Sequence, residues 1–416
     1  MKIYKFLVVF ILAGGLFTSC SKDNNDMVDP PKTGELPGEE VNIELEIKDF
    51  MYKGMNEIYL YKSDVVVLSD DYFSDQEELN TYLEGFSTPE DLYYDGLVAS
   101  QDRFSFLTDD YVELENNFAG TSKSTGIDYG LSLYASGSNN VFGYVRYVVN
   151  GSPADAAGIE RGMVFTKING QQLTRNNFRE LLAPETLTFE FADIDGGNFT
   201  LNGESATVTK VTLTENPILV AKTLDVDGRK VGYLMYNSFV ANFDDELNDA
   251  FGMFKSEGIQ DLVLDLRYNG GGRVSSAIRL SSMITGQFTG EVFSLEEWNA
   301  KYQAFFESEN PERLVNRFVD EIDNGVAINS LNLNRLYVIG TGSTASASEL
   351  VINSLRPYID VIHVGTTTVG KFQASVTLYD SPNFGRDGAN PNHTYAIQPL
   401  VLKSVNANGE ADFLNG

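Results

Sequence analysis

Three residue types that commonly carry chemistry are scarce in this sequence: one Cys, two His and one Trp in 416 residues. A single Cys excludes an intrachain disulfide and any zinc site built on cysteines. Two His leave little room for mechanisms that need several imidazoles. Cations are scarce as well, with 30 Lys and Arg against 59 Asp and Glu and a formal net charge of −29. So acidic a chain is a poor partner for nucleic acid, whose phosphates call for clustered cations. The apolar run near the N-terminus, Phe6 to Leu12, is too short to span a membrane. What is present is globular. Hydrophobic residues make up 42% and charged residues 21%, which excludes a wholly disordered chain. The length suits two to three domains.

The one Cys has an explanation in its neighbourhood. Lys2 and Lys5 precede the apolar run, and Leu16-Phe17-Thr18-Ser19-Cys20 follows it. A basic segment, a short apolar segment and small residues before a Cys resemble a bacterial signal peptide ending in a lipobox. Residues 1–19 are then expected to be a signal peptide and Cys20 a lipidated residue. Residues 20–41 hold Pro30-Pro31 and no apolar period, so they read as a flexible tether. The expectation is a folded body lipid-anchored to a membrane in the bacterial cell envelope, outer-membrane or periplasm-facing, with the cell surface as the alternative.

Three regions follow the tether. Residues 42–115 are expected to be a small helical N-terminal domain, because Ile47, Phe50, Met51, Met55 and Ile58 share one helical face. Asp75 to Tyr82 and Pro89 to Leu97 read as further helices, and Arg103 to Thr108 as a docking segment. Residues 116–215 are strand-rich. Gly151-Ser-Pro-Ala starts a short helix that Gly158 stops, and Arg161 to Gly170 is a strand ending in an Asn-Gly turn. This string resembles the PDZ domain, with Met163 at a position usually held by Asp. The resemblance implies capture of a peptide C-terminus by strand addition, its carboxylate held near Gly126 to Leu131. Gly126-Ile127 and Tyr129-Gly130-Leu131 both fit that loop. Residues 216–416 alternate strand and helix and predict an α/β core with a largely parallel sheet. Residues 290–330 read as a helical insertion.

Sites in open α/β sheets form at the carboxyl ends of strands. Three such ends are suggestive here. Asp265-Leu-Arg-Tyr-Asn-Gly-Gly-Gly272 places a glycine turn after a strand, in a spacing unlike that of dinucleotide sites. Thr341-Gly-Ser-Thr-Ala-Ser-Ala-Ser-Glu349 precedes a helix. There Ser346 and Glu349 fit a capping box, and Ser346 at a helix N-terminus would also favour a developing anion. Gly365 to Lys371 is the third.

Taken together, Asp-Leu-Arg-x-Asn-x-Gly-Gly, Thr-Ala-Ser-Ala-Ser-Glu and Gly-Lys resemble the C-terminal processing peptidases, or tail-specific proteases, over about residues 42–403. The resemblance implies an α/β catalytic core of ClpP/crotonase-like β-α repeats with an inserted PDZ β-domain and a small helical N-terminal domain. It implies Ser346 as nucleophile and Lys371 as general base, since the family's Lys follows its Ser by the same 25 residues. It also implies an oxyanion hole from the amides of Gly272 and Ala347. Lys371 can act as a base only when neutral, which burial beside Val369 and Phe372 would favour. His363 and His393 read as structural.

The reading is therefore a lipid-anchored serine endopeptidase acting on protein or peptide C-termini, with no cofactor, metal or nucleic acid. Family members often carry a Gln four residues after the Lys. This sequence has Ser375 there, with Gln373 two residues after the Lys. That departure supports the alternative, a catalytically weak or inactive peptide-binding lipoprotein of the same fold.

Overall fold

The computed structural model describes residues 42–411 and Gly416. The expected signal peptide, Cys20 and the tether lie outside the described residues. Among the described residues no helix is long and apolar enough to cross a membrane.

The chain divides into two units. One takes the described residues up to Asp109 together with Thr377–Pro399; the other takes Asp110–Val376 and Leu400–Gly416. In the first unit, helix Ile43–Ile58 starts at Asn42, whose side chain accepts from the Leu45 amide. Its predicted face is buried throughout: Ile47, Phe50, Met51, Met55 and Ile58. Helix Gln76–Glu84 is capped by Asp75, and Pro89–Asp91 runs into a wider turn at Leu92–Leu97. The segment Arg103 to Thr108, expected to dock, instead gives a strand, Phe106–Thr108, paired antiparallel with Ala396–Gln398. Leu378–Tyr379 completes that small sheet. The N-terminal unit is thus neither purely helical nor continuous in sequence. Gly54 shows why the late segment belongs to it, because a Cβ there would lie 3.0 Å from Leu378 and 3.1 Å from Ile397.

In the second unit, residues 127–209 form a six-stranded antiparallel sheet. Its order begins at the edge with Ile127–Leu133, followed by Val141–Val148, Val164–Ile168, Thr186–Asp195 and Asn198–Thr209, and the short sixth strand, Gln171–Gln172, pairs with Val164–Ile168. The Asn-Gly turn forms as expected, with φ of 52° at Asn169 and 79° at Gly170. Ile127, Val145, Phe165, Ile168, Phe189 and Phe191 fill its core. The long Thr186–Thr209 hairpin was not foreseen.

The remainder is α/β. A five-stranded sheet runs Ile218–Val226, Arg229–Tyr236, Asp261–Asp265, Arg335–Gly340, Asp360–Gly365. The first pair is antiparallel and the rest are parallel. Helices Asp244–Glu257, Val274–Thr285 and Ala347–Leu355 supply Phe251, Phe254, Leu280, Met283 and Val351 to one core, each with no exposed surface. Full burial of each such side chain contributes about 1.5–3 kcal/mol. Gly258 ends the first helix in the left-handed region, φ 68°. Residues 290–330 are not a helical insertion: strands Val292–Trp298 and Val315–Arg317 join Leu400–Val405 and Gln373–Ser375 in a second sheet, with the α-helix Ala300–Glu309 and a short 3-10 turn, Pro311–Leu314, between them.

Candidate active site

Strands Asp261–Asp265, Arg335–Gly340 and Asp360–Gly365 are adjacent and parallel, so the three loops singled out in the sequence leave the sheet at neighbouring carboxyl ends. Hydrogen bonds tie the loops together. The Ala345 amide donates to the Asn269 carbonyl at 3.1 Å, and the Val369 amide donates to the Thr344 carbonyl at 3.0 Å.

Ser346 caps helix Ala347–Leu355 with φ 58° and ψ −117°. Among the described residues only five non-glycines have positive φ, and Ser346 is one of them. A conformation of this kind costs about 1–3 kcal/mol and is held only by its surroundings. Glycine explains how the surroundings fit. A Cβ on Gly271 would sit 2.7 Å from Ser346 Cβ and 3.0 Å from the Ala347 nitrogen, so only a glycine lets the turn lie against the serine. Gly271 and Gly272 both have positive φ, 109° and 136°.

The amides divide by occupation. Ser346 N–H donates to Glu349 Oε2 at 2.9 Å, and Gly271 N–H donates to Asn269 Oδ1 at 2.8 Å. The next amide in each case is different. Ala347 opens its helix, where no carbonyl lies one turn back. Gly272 bridges to Phe239 through its neighbours' groups, Gly271 O and Arg273 N, so the bridge leaves its own amide out.

The two other serine-motif side chains are structural. Ser348 is fully buried and its hydroxyl donates to the Asn269 carbonyl. Thr344 donates to the Leu266 carbonyl. Ser346, by contrast, is half-exposed. Lys371, Val369 and Phe372 are all half-buried. Gln373 is buried and Ser375 half-buried in the strand Gln373–Ser375.

Glu349 holds the serine turn and the lysine loop in one place. Its Oε1 accepts from Thr368 Oγ1 and from the Gly370 amide, each at 2.6 Å, and its Oε2 accepts from the Lys371 amide at 2.8 Å and from Ser346. The carboxylate is buried, 3% exposed. Asn269 has the matching part in the glycine turn. It is wholly buried and its Nδ2 donates to the Tyr236 carbonyl at 2.9 Å. The sequence reading found the capping box but not these long-range roles.

His363 lies mid-strand against Gly340. His393 belongs to the other unit. Its Nδ1 accepts from the Tyr395 amide, which directs Nε2 to Asp380 at 3.0 Å. Both placements are structural. Among the described residues no group of acidic, His or Cys side chains could hold a metal ion.

The residues named for the peptide loop are split. The Gly126 amide donates to Ser124 Oγ and the Ile127 amide to Thr125 Oγ1. Tyr129, Gly130 and Leu131 lie in the edge strand, with Tyr129 ring to ring on Phe165 at 5.6 Å.

Comparison with known proteins speaks to the family. The model of peptidase family S41 matches residues 230–383, and that of the peptidase S41 N-terminal domain matches 46–106; together they span just over half of the chain. The chain belongs to peptidase family S41. A carboxyl-terminal-processing protease of Picosynechococcus sp. is 29% identical to this S41 chain over 229 residues, 53% of this chain and 49% of the relative. The carboxy-terminal processing protease CtpA of Bacillus subtilis is 24% identical over 229 residues, 54% of this chain and 43% of the relative. The chain thus spans about half, or less, of the length of these curated relatives. Among solved structures, a Bacteroides fragilis protein assigned to the S41 proteases superposes with a TM-score of 0.68 at 26% identity, covering 93% of this chain and 90% of that one. A photosystem II D1 C-terminal processing protease shares the fold, with TM-score 0.53 at 18% identity, over 90% of this chain and 92% of that one.

Proposed function

We propose that the chain is a serine endopeptidase of the C-terminal processing type. Ser346 Oγ attacks the scissile carbonyl while Lys371 Nζ, neutral, takes its proton. The tetrahedral oxyanion is stabilised by the amides of Gly272 and Ala347. Collapse expels the amine with a proton returned by Lys371, and water then hydrolyses the acyl-enzyme by the same route. The observation that supports the reading most is the serine turn itself: a half-exposed Ser346 at φ 58°, pressed by Gly271, beside an amide at the open end of a helix. The chain has only two His, and His363 lies mid-strand, so the lysine is taken as the base.

Substrates are protein or peptide tails. Residues 116–215 act as a PDZ domain, adding the tail as a strand beside Ile127–Leu133, an edge of its sheet. The tail's carboxylate is held by main-chain amides at the start of that strand, near Tyr129 to Leu131, since the Gly126 and Ile127 amides already donate to Ser124 and Thr125. Cys20 carries the lipid that keeps the protein at the envelope membrane.

The test is cleavage of a denatured model protein, and labelling by a serine-reactive probe, for wild type, Ser346→Ala and Lys371→Ala. Wild type is expected to cleave and label, and both variants to lose cleavage. A wild type that does neither at any pH from neutral to alkaline sinks the peptidase reading. Ser375, where relatives often carry Gln, favours a second reading as a peptide-binding lipoprotein without turnover. Binding of a C-terminal peptide with no cleavage would select it.

A further inference from the structure

We infer that Glu349 is a positioning residue that sets the Lys371 main chain against Ser346. The inference rests on the proposed peptidase reading and adds to it a residue that touches neither substrate nor reacting atoms. A capping box would need one bond from Glu349, to the amide of the N-cap residue. Glu349 makes four, with two donors on each oxygen, which fills the acceptor capacity of a carboxylate. Three of the four come from residues 368–371, a loop that leaves a different strand from the one feeding the serine turn. The Ser346 and Lys371 amides therefore sit side by side on a single oxygen, Oε2.

The consequence is geometric. The lysine side chain begins at the Cα next to a fixed amide, and the serine side chain begins at the Cα next to another. Holding both amides on one buried carboxylate fixes the origin of base and nucleophile relative to each other. A misplacement of ~1 Å in such a pair lowers rate by about a hundredfold. Glutamine cannot replace this carboxylate. Its NH₂ group would face either the Gly370 N–H, with only the Thr368 hydroxyl able to turn and accept, or the Ser346 and Lys371 N–H groups, so at least one N–H loses its acceptor. Thr368 offers a milder probe, since its hydroxyl supplies one donor of the four and serine keeps it.

The experiment uses the full chain as wild type, Glu349→Gln, Thr368→Val and Thr368→Ser, with Ser346→Ala as control. Two readouts are taken: kcat and KM on a denatured model protein, and amide hydrogen exchange over residues 366–372 by mass spectrometry. Glu349→Gln is expected to lower kcat by about a hundredfold with KM within about twofold, as a loss confined to the transition state. Thr368→Val is expected to fall between it and wild type, and Thr368→Ser to match wild type. Exchange over 366–372 should speed up in Glu349→Gln but not in Ser346→Ala, while exchange over strand Asp261–Asp265 stays unchanged in both. Should Glu349→Gln fail to fold, the Thr368 pair decides by the same measurements. Unchanged kcat and exchange in Glu349→Gln, or Thr368→Ser no better than Thr368→Val, overturns the inference while cleavage by wild type leaves the peptidase reading standing. Inactive wild type with loosened exchange in Glu349→Gln would sink the peptidase reading and keep the clamp.

Discussion

The glycine turn at 269–272 and the lysine loop at 366–371 follow the two strands that flank Arg335–Gly340 in one sheet, yet they are held by opposite means. Asn269 holds the glycine turn with a neutral amide, which donates to one main-chain group and accepts from another. Glu349 holds the lysine loop with a carboxylate, which can only accept and does so four times. The difference follows from what each must satisfy. The glycine turn offers the Gly271 N–H and the end of strand Arg229–Tyr236 offers the Tyr236 carbonyl, so the partner needs both a donor and an acceptor. The lysine loop and serine turn offer N–H and O–H groups alone, and a buried cluster of donors is best met by an anion. Clearance matters at both: a Cβ on Gly271 would press on Ser346, and a Cβ on Gly365, which opens the lysine loop at φ 137°, would lie 2.0 Å from the Gly340 carbonyl oxygen.

The comparison can be broken most severely at Gly271. Gly271→Ala puts a Cβ against Ser346, Ala345 and Ala347 at positive φ, with strain of about 1–3 kcal/mol. Displacement of the serine by ~1 Å should lower cleavage by about a hundredfold or more, and full activity in this variant would refute the close approach. Next comes Asn269→Ala, which strands a buried N–H and a buried carbonyl. The expected loss is about 2–3 kcal/mol in urea unfolding, and a change below about 0.5 kcal/mol would show that the turn does not depend on it. Ser348→Ala sharpens the contrast between the two serines. It removes one hydrogen bond, while the Asn269 carbonyl keeps the Ala345 amide, so stability should fall by about 1 kcal/mol with cleavage retained. Loss of cleavage in Ser348→Ala with activity in Ser346→Ala would reverse the nucleophile assignment. The smallest effect is expected from Tyr268→Phe. The Tyr268 hydroxyl takes a bond from the exposed Arg161 at 2.7 Å, and its removal should move stability by no more than about 0.5 kcal/mol.

Much of this was open to reading in the sequence because it is local. The buried face of helix Ile43–Ile58 repeats at helical spacing, Gly258 follows a helix it must end, and Asn169-Gly170 turns between strands. The serine motif, the glycine turn and the lysine also stand out, each as a short run at a strand end. What escaped was everything carried by distant partners. Strand Phe106–Thr108 is too short to announce itself, and its partner is near residue 397. The sheet containing Val292–Trp298 draws on residues 373–375 and 400–405, so no window of sequence displays it. Asn269 reads as a turn residue, and nothing local says that its amide spans to Tyr236.

The sequence by itself determined the strand and helix alternation of the core, the glycines that permit a turn at positive φ, and the serine and lysine each just after a strand. These depend on side-chain size, periodicity and backbone freedom, which are properties of a residue and its near neighbours. The tertiary structure decided which serine is half-exposed, which amides are already taken, and that one carboxylate serves two loops. Those outcomes depend on the exclusion of water from a buried cluster of donors. The burial exists only once the parallel strands have brought the three loops together.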